Sequence, residues 1–91
     1  MNKIEIQIQY NGRKYIFDDG LKAYIFALTV GRHLCDEVLE QFVEKAYSVA
    51  CMPNTTWTED IVQHLYDNWE RLKDWDDDDI YSDFVWNYEE D

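Results

Sequence analysis

The sequence predicts an α+β fold, with an N-terminal β-hairpin packed on two to four helices in a single small domain spanning residues 1–91. Three observations carry that expectation. Apolar residues alternate with period two over the first ten positions, an Asn-Gly pair follows them, and patterns of period three to four occupy most of the remaining chain.

The hairpin is expected within residues 1–18. Ile4, Ile6, Ile8 and Tyr10 fall on one face, and Lys3, Glu5, Gln7 and Gln9 on the other, which is the pattern of a half-buried strand. Asn11-Gly12 then supplies the residues that tolerate the positive φ of a type I′ turn. With those two as the loop, Tyr10 pairs with Arg13, Ile8 with Tyr15 and Ile6 with Phe17, so the apolar faces of the two strands coincide.

Residues 21–51 are expected to be helical, with the first part open. In Leu21–Val30, residues Leu21, Ile25 and Leu28 fit a helix face, whereas Tyr24-Ile25-Phe26 and Thr29-Val30 also suit a strand; the reading is a short helix broken by Gly31. From Cys35 to Cys51, Val38, Leu39, Phe42, Val43, Ala46, Val49 and Ala50 recur at helical spacing, with Asp36 and Glu37 where the helix dipole favours them. A helix over 57–73 opens with a capping box, Thr56 to Glu59, and turns Ile61, Val62, Leu65, Trp69 and Leu72 inward. The last segment, 76–89, reads as an acidic amphipathic helix with Ile80, Tyr81, Phe84, Val85 and Tyr88 on one side, a strand being the alternative.

Charge is the informative quantity. The chain carries 20 acidic and 8 basic residues, a net charge of −12. Nearly all of the excess lies beyond residue 50, where thirteen acids meet only Arg71 and Lys73. Repulsion on that scale opposes compaction, so a chain that keeps it is expected to use it or to carry part of it on a mobile tail. With no basic-then-apolar leader and no long apolar run, the expected location is a bacterial host-cell cytoplasm. Cys35 and Cys51 form no CxxC pair and read as small buried hydrophobes in a reducing compartment.

Enzymatic chemistry is not expected. No nucleophile elbow, zinc-protease motif or phosphate-binding glycine loop is present, and a carboxylate pair becomes catalytic only in a cleft that splits the two pKa values. No cofactor or metal is expected either. His33, Cys35, Cys51 and His64 lack zinc-finger spacing, and a calcium loop counted from Asp74 would need Gly and Glu where Asp79 and Val85 stand. Direct nucleic-acid binding is disfavoured, because phosphates are met by Lys and Arg.

The inverse use of charge fits better. B-DNA presents about one negative charge per 1.7 Å of axis. A ridge of Asp60, Asp67, Glu70, Asp74, Asp76, Asp77, Asp78, Asp79, Asp83, Glu89 and Glu90 would offer a comparable density to a basic protein groove. Trp75 and Trp86 are the expected exposed aromatic anchors of that partner-binding surface. The plain alternative is a solvated acidic face over an aromatic core.

In its length, its hairpin-plus-helices pattern and its acids interleaved with aromatics, Asp60 through Asp91 above all, the chain resembles the small acidic inhibitors of phages and other mobile elements. The likeness is to anti-CRISPR proteins that imitate DNA. The resemblance implies an acidic surface that occupies the basic site through which an RNA-guided nuclease reads DNA. The rival readings are an immunity protein or antitoxin that neutralises a basic nuclease toxin, and a structural or interaction domain of a mobile element.

Overall fold

A computed structural model of the chain describes residues 5–53 and 58–88. The chain divides into two compact units, Met1–Val43 and Glu44–Asp91. The elements are β1 (Ile6–Tyr10), β2 (Arg13–Phe17), α1 (Gly20–Val30), α2 (Asp36–Ala50), α3 (Thr58–Asp67), α4 (Trp69–Leu72) and α5 (Asp77–Tyr88). This is the α+β arrangement that the patterning predicts, a hairpin followed by helices. Among the described residues, no helix is long and apolar enough to cross a membrane. Cys35 and Cys51, expected to be buried, are instead exposed, because they flank α2 at its two ends and do not lie on its apolar stripe.

The first unit is organised by the hairpin. β1 and β2 pair antiparallel in the expected register, Ile6 with Phe17, Ile8 with Tyr15 and Tyr10 with Arg13. Asn11 and Gly12 have φ of 53° and 77°, the left-handed values a two-residue turn of this hand requires. The hairpin's apolar face meets α1 through Phe26, which is fully buried. Its ring lies 4.5 Å from Tyr15, 5.3 Å from Phe17 and 6.1 Å from Tyr10, the last edge-on.

The open question over residues 21–30 resolves to helix, and the reason is local. Asp19 is the N-cap in extended conformation, and its side chain accepts a hydrogen bond from the Leu21 N–H at 2.7 Å. Thr29, the buried polar residue that looked strand-like, is satisfied within the helix by donating its hydroxyl to the carbonyls of Ile25 and Phe26. The helix ends at Gly31 as expected; Gly31 keeps a right-handed φ of −67°, and the left-handed residue of the exit is His33, at φ 62°.

The second unit contains the end of α2 together with α3, α4 and α5. Its buried residues are Ala46, Val49, Ala50, Ile61, Val62, Leu65, Leu72, Ile80 and Phe84. The helix expected over 57–73 is two helices, interrupted at Asn68. There the backbone N–H and the side-chain amide both donate to the His64 carbonyl, at 3.1 and 2.9 Å. The Asn68 carbonyl then starts α4 by accepting from Arg71 and Leu72 N–H. Asparagine competes for backbone carbonyls in this way, which is why it is a poor residue inside a helix. Trp69 is half-buried, whereas Leu72 is fully buried. The expected capping box falls partly on residues 54–57, outside the described residues.

Candidate acidic interface

The second unit brings acids and aromatics together where α4 turns into α5. After Leu72 the chain passes through residues 73–76, with the Trp75 N–H donating to the Leu72 carbonyl at 3.0 Å. The ammonium of Lys45 donates to the Trp75 carbonyl and ties down this turn. The Ile80 N–H donates to the Asp76 carbonyl at 3.0 Å, so Asp76 stands at the entry to α5. Asp77, Asp78 and Asp79 occupy the first turn of α5, where the unpaired N–H groups and the helix dipole favour negative charge. A triple-acid start is thus locally favourable despite its self-repulsion.

Between the turn and α5 lies an open groove of about 740 Å³, lined by Asp74, Trp75, Asp76, Asp79, Ser82, Asp83 and Trp86. Spacings of four and three residues put Asp79, Asp83 and Trp86 on one side of α5. Ile80 and Phe84, each about 100° round the helix from the preceding acid, are buried and hold the helix down. Trp86 is 76% exposed and Trp75 37%. Trp86 is therefore not a core residue, which settles one of the two roles that its pattern allowed.

The predicted interface residues do not all behave alike. Asp74, Asp76, Asp79, Trp75 and Trp86 meet at the groove as expected. Asp60, Asp67 and Glu70 are exposed on α3 and α4 but do not line it. Asp67 accepts from the Gln63 side chain at 2.7 Å, and Glu70 pairs with Lys73 at 3.3 Å. Asp78 is exposed and Asp77 half-buried, both outside the groove lining. Glu89 and Glu90, like the side chain of Tyr88, lie outside the described residues.

Asp83 departs from its expected place as an outward acid. Its side chain is only 18% exposed and is engaged from two helices. His64 Nε2 of α3 lies 2.8 Å from Asp83 Oδ2, and the Arg71 guanidinium of α4 reaches both carboxylate oxygens, at 3.2 and 3.5 Å. Burial pushes the Asp83 carboxyl up, but the hydrogen bonds and charges of Arg71 and His64 outweigh it and hold the carboxyl below its ordinary value of 3.8. Arg71 also stacks over the Trp75 ring, 5.3 Å from its centroid. His64 and Arg71, neither singled out from the sequence, thus hold Asp83, one of the residues that line the groove. The signal was available: His64 sits beside the Ile61–Leu65 face of α3, and Asp83 beside Phe84 at the margin of the apolar stripe of α5.

The lowered pKa makes Asp83 a contributor to stability, with a defined pH window. Its folded value lies below its unfolded value, so its contribution is complete above about pH 4–5 and is lost as the pH falls through the folded pKa. Asp83→Asn is expected to cost about 1–3 kcal/mol at pH 7. It should also flatten the acid limb of the stability curve below pH 4. Urea unfolding at pH 7 and pH 3 measures both; an unchanged acid limb would remove Asp83 from this role.

Comparison with protein-family models, with curated proteins and with solved structures produced no match for this chain.

Proposed function

We propose that this protein is an acidic inhibitor that imitates DNA and blocks nucleic-acid binding by a basic target protein, an RNA-guided CRISPR effector nuclease being the favoured target. It works by occupation and carries no catalytic step. Its place of action is the cytoplasm of the bacterial host, where such a nuclease operates.

The observation that carries this reading is the grouping of Asp74, Asp76 and Asp79 with two exposed tryptophans along one groove. Among the described residues, none of these three carboxylates has an ion pair or hydrogen bond that would neutralise it. Unneutralised carboxylates on a well-anchored helix resemble the phosphate array that a basic groove is built to accept. Their field steers association with such a groove, and the tryptophans add desolvated contact once docked.

The test is an order-of-addition assay. Immobilised protein captures candidate RNA-guided nucleases at low salt, and each captured nuclease is then offered its target duplex. Nuclease incubated first with this protein should fail to bind DNA, whereas nuclease loaded first with DNA should be resistant. Binding should also weaken linearly in log affinity against log salt. A captured nuclease that still bound its duplex normally, or a complex indifferent to salt, would refute the reading.

A further inference from the structure

We infer that the outer edge of β1 pairs antiparallel with the same edge of a second copy of this chain, across a two-fold axis at Ile8, to give an intermolecular sheet. The inference is independent of the inhibitor reading above and concerns the first unit alone.

Two observations mark this edge as a docking surface. The first is the open ladder. Among the described residues the sheet contains β1 and β2 alone, so each strand has a neighbour on one side only. β1 packs chiefly on β2 and α1. In a hairpin closed by two residues, Tyr10 and Arg13 exchange both backbone hydrogen bonds, as do Ile8 with Tyr15 and Ile6 with Phe17. The backbone N–H and C=O groups of Gln7 and Gln9 therefore point away from β2, towards the free side. The second is incomplete cover. Phe26 beneath the hairpin is fully buried, yet Ile6, Ile8 and Tyr10 of β1 are only half-buried. A further strand on this side continues the ladder and covers those three.

The sequence of the edge selects a second copy as that strand. Turned end for end about Ile8, the segment Ile6–Tyr10 places Ile6 opposite Tyr10, Gln7 opposite Gln9 and Ile8 opposite Ile8. Apolar residues then meet on one face and neutral amides on the other, with Gln7 and Gln9 forming the hydrogen-bonded pairs. No charge lies between Ile6 and Tyr10 to oppose its own copy. The edge of β2 is unsuited to the same use, because Arg13 and Lys14 would bring like charges together, a common protection of edge strands. The charge of the whole chain points the same way. The first unit carries six acids and five bases, so two copies meet there with little repulsion, whereas most of the net −12 belongs to the second unit.

The experiment is sedimentation equilibrium of the full chain from micromolar to millimolar concentration, on the parent and two double variants. Gln9→Glu is common to both, and position 9 faces Lys14 within the hairpin, so the monomer's own pairing should be kept in each. Gln7→Glu with Gln9→Glu sets carboxylates against each other across the axis. Gln7→Lys with Gln9→Glu sets an ammonium against a carboxylate there. The expected result is a weak parental dimer, tightened by salt as the repulsion between two acidic chains is screened. The all-glutamate variant should dissociate about tenfold more readily, and the mixed variant should match or exceed the parent. A parent that is monomeric throughout, a dimer that salt dissolves, or two variants that behave alike would overturn the inference.

Discussion

Replacing Asp76, Asp77, Asp78 and Asp79 together by lysine is expected to lower affinity for the captured nuclease by about a hundredfold or more. Each reversal changes the charge by two, so the four take the net charge from −12 to −4 and put cations at the mouth of the groove. Loss of attraction and new repulsion then act together. Surface position alone would predict an intact fold, since exposed charges contribute little to stability. Three of the four, however, sit in the first turn of α5. A cation there opposes the helix dipole, which is typically worth about 0.3–1 kcal/mol per charge. The lysine variant should therefore lose some thermal stability as well as binding. Replacing the same residues by asparagine separates the two effects, because it removes the anions without placing cations at the helix start. The asparagine variant should bind at least tenfold more weakly while its circular dichroism matches the parent. Parental affinity in both variants would mean that this end of α5 is not the binding surface.

The hairpin was legible in the sequence down to its register, because period-two alternation and an Asn-Gly turn constrain the same pairing independently. The helices were legible where an apolar stripe decides, as for Leu39, Phe42, Val43 and Ala46 on α2. What was not legible depends on side chains bonding to backbone. The break at Asn68 rests on an amide competing for the His64 carbonyl, and the turn at His33 on a single left-handed residue. Hydrophobic periodicity carries no record of either. The same limit applies to the acidic surface. Composition located the charge in the last forty or so residues, but a count of acids weights Asp83 and Asp79 equally. Only the fold separates Asp83, held by His64 and Arg71, from Asp79, which remains available.

This separation gives the groove a division of labour. Asp83 and Arg71 neutralise each other and fix the position of Trp75, so their effect on a partner is indirect. Asp74, Asp76 and Asp79 form no ion pair among the described residues and, on the inhibitor reading proposed above, keep their charge for the partner. A mimic needs both kinds of acid, because an array of charges on an unfixed segment would have to be ordered at the moment of binding, at an entropic cost. The pairings of Asp83 with Arg71 and His64 thus tie α5 to α4 and α3 and brace the segment that carries the exposed acids.

Removing the apolar anchor of that array should show the dependence most strongly. Phe84 is buried on the apolar side of α5, with its ring 5.7 Å from that of His64 on α3. Phe84→Ala deletes a buried aromatic side chain and leaves a cavity, at an expected cost of about 3–5 kcal/mol. For a chain of this length, with total stability of about 5–14 kcal/mol, that is a large fraction. Urea unfolding should show the midpoint falling accordingly, and nuclease binding should weaken although every acidic residue is retained. Phe84→Leu, which keeps most of the volume, should cost less than about 1.5 kcal/mol and bind like the parent. The pair of variants tests whether the array works because it is fixed or merely because it is charged. If Phe84→Ala binds as tightly as Phe84→Leu while losing several kcal/mol of stability, the charges act without the helix that spaces them, and spacing has no part in recognition.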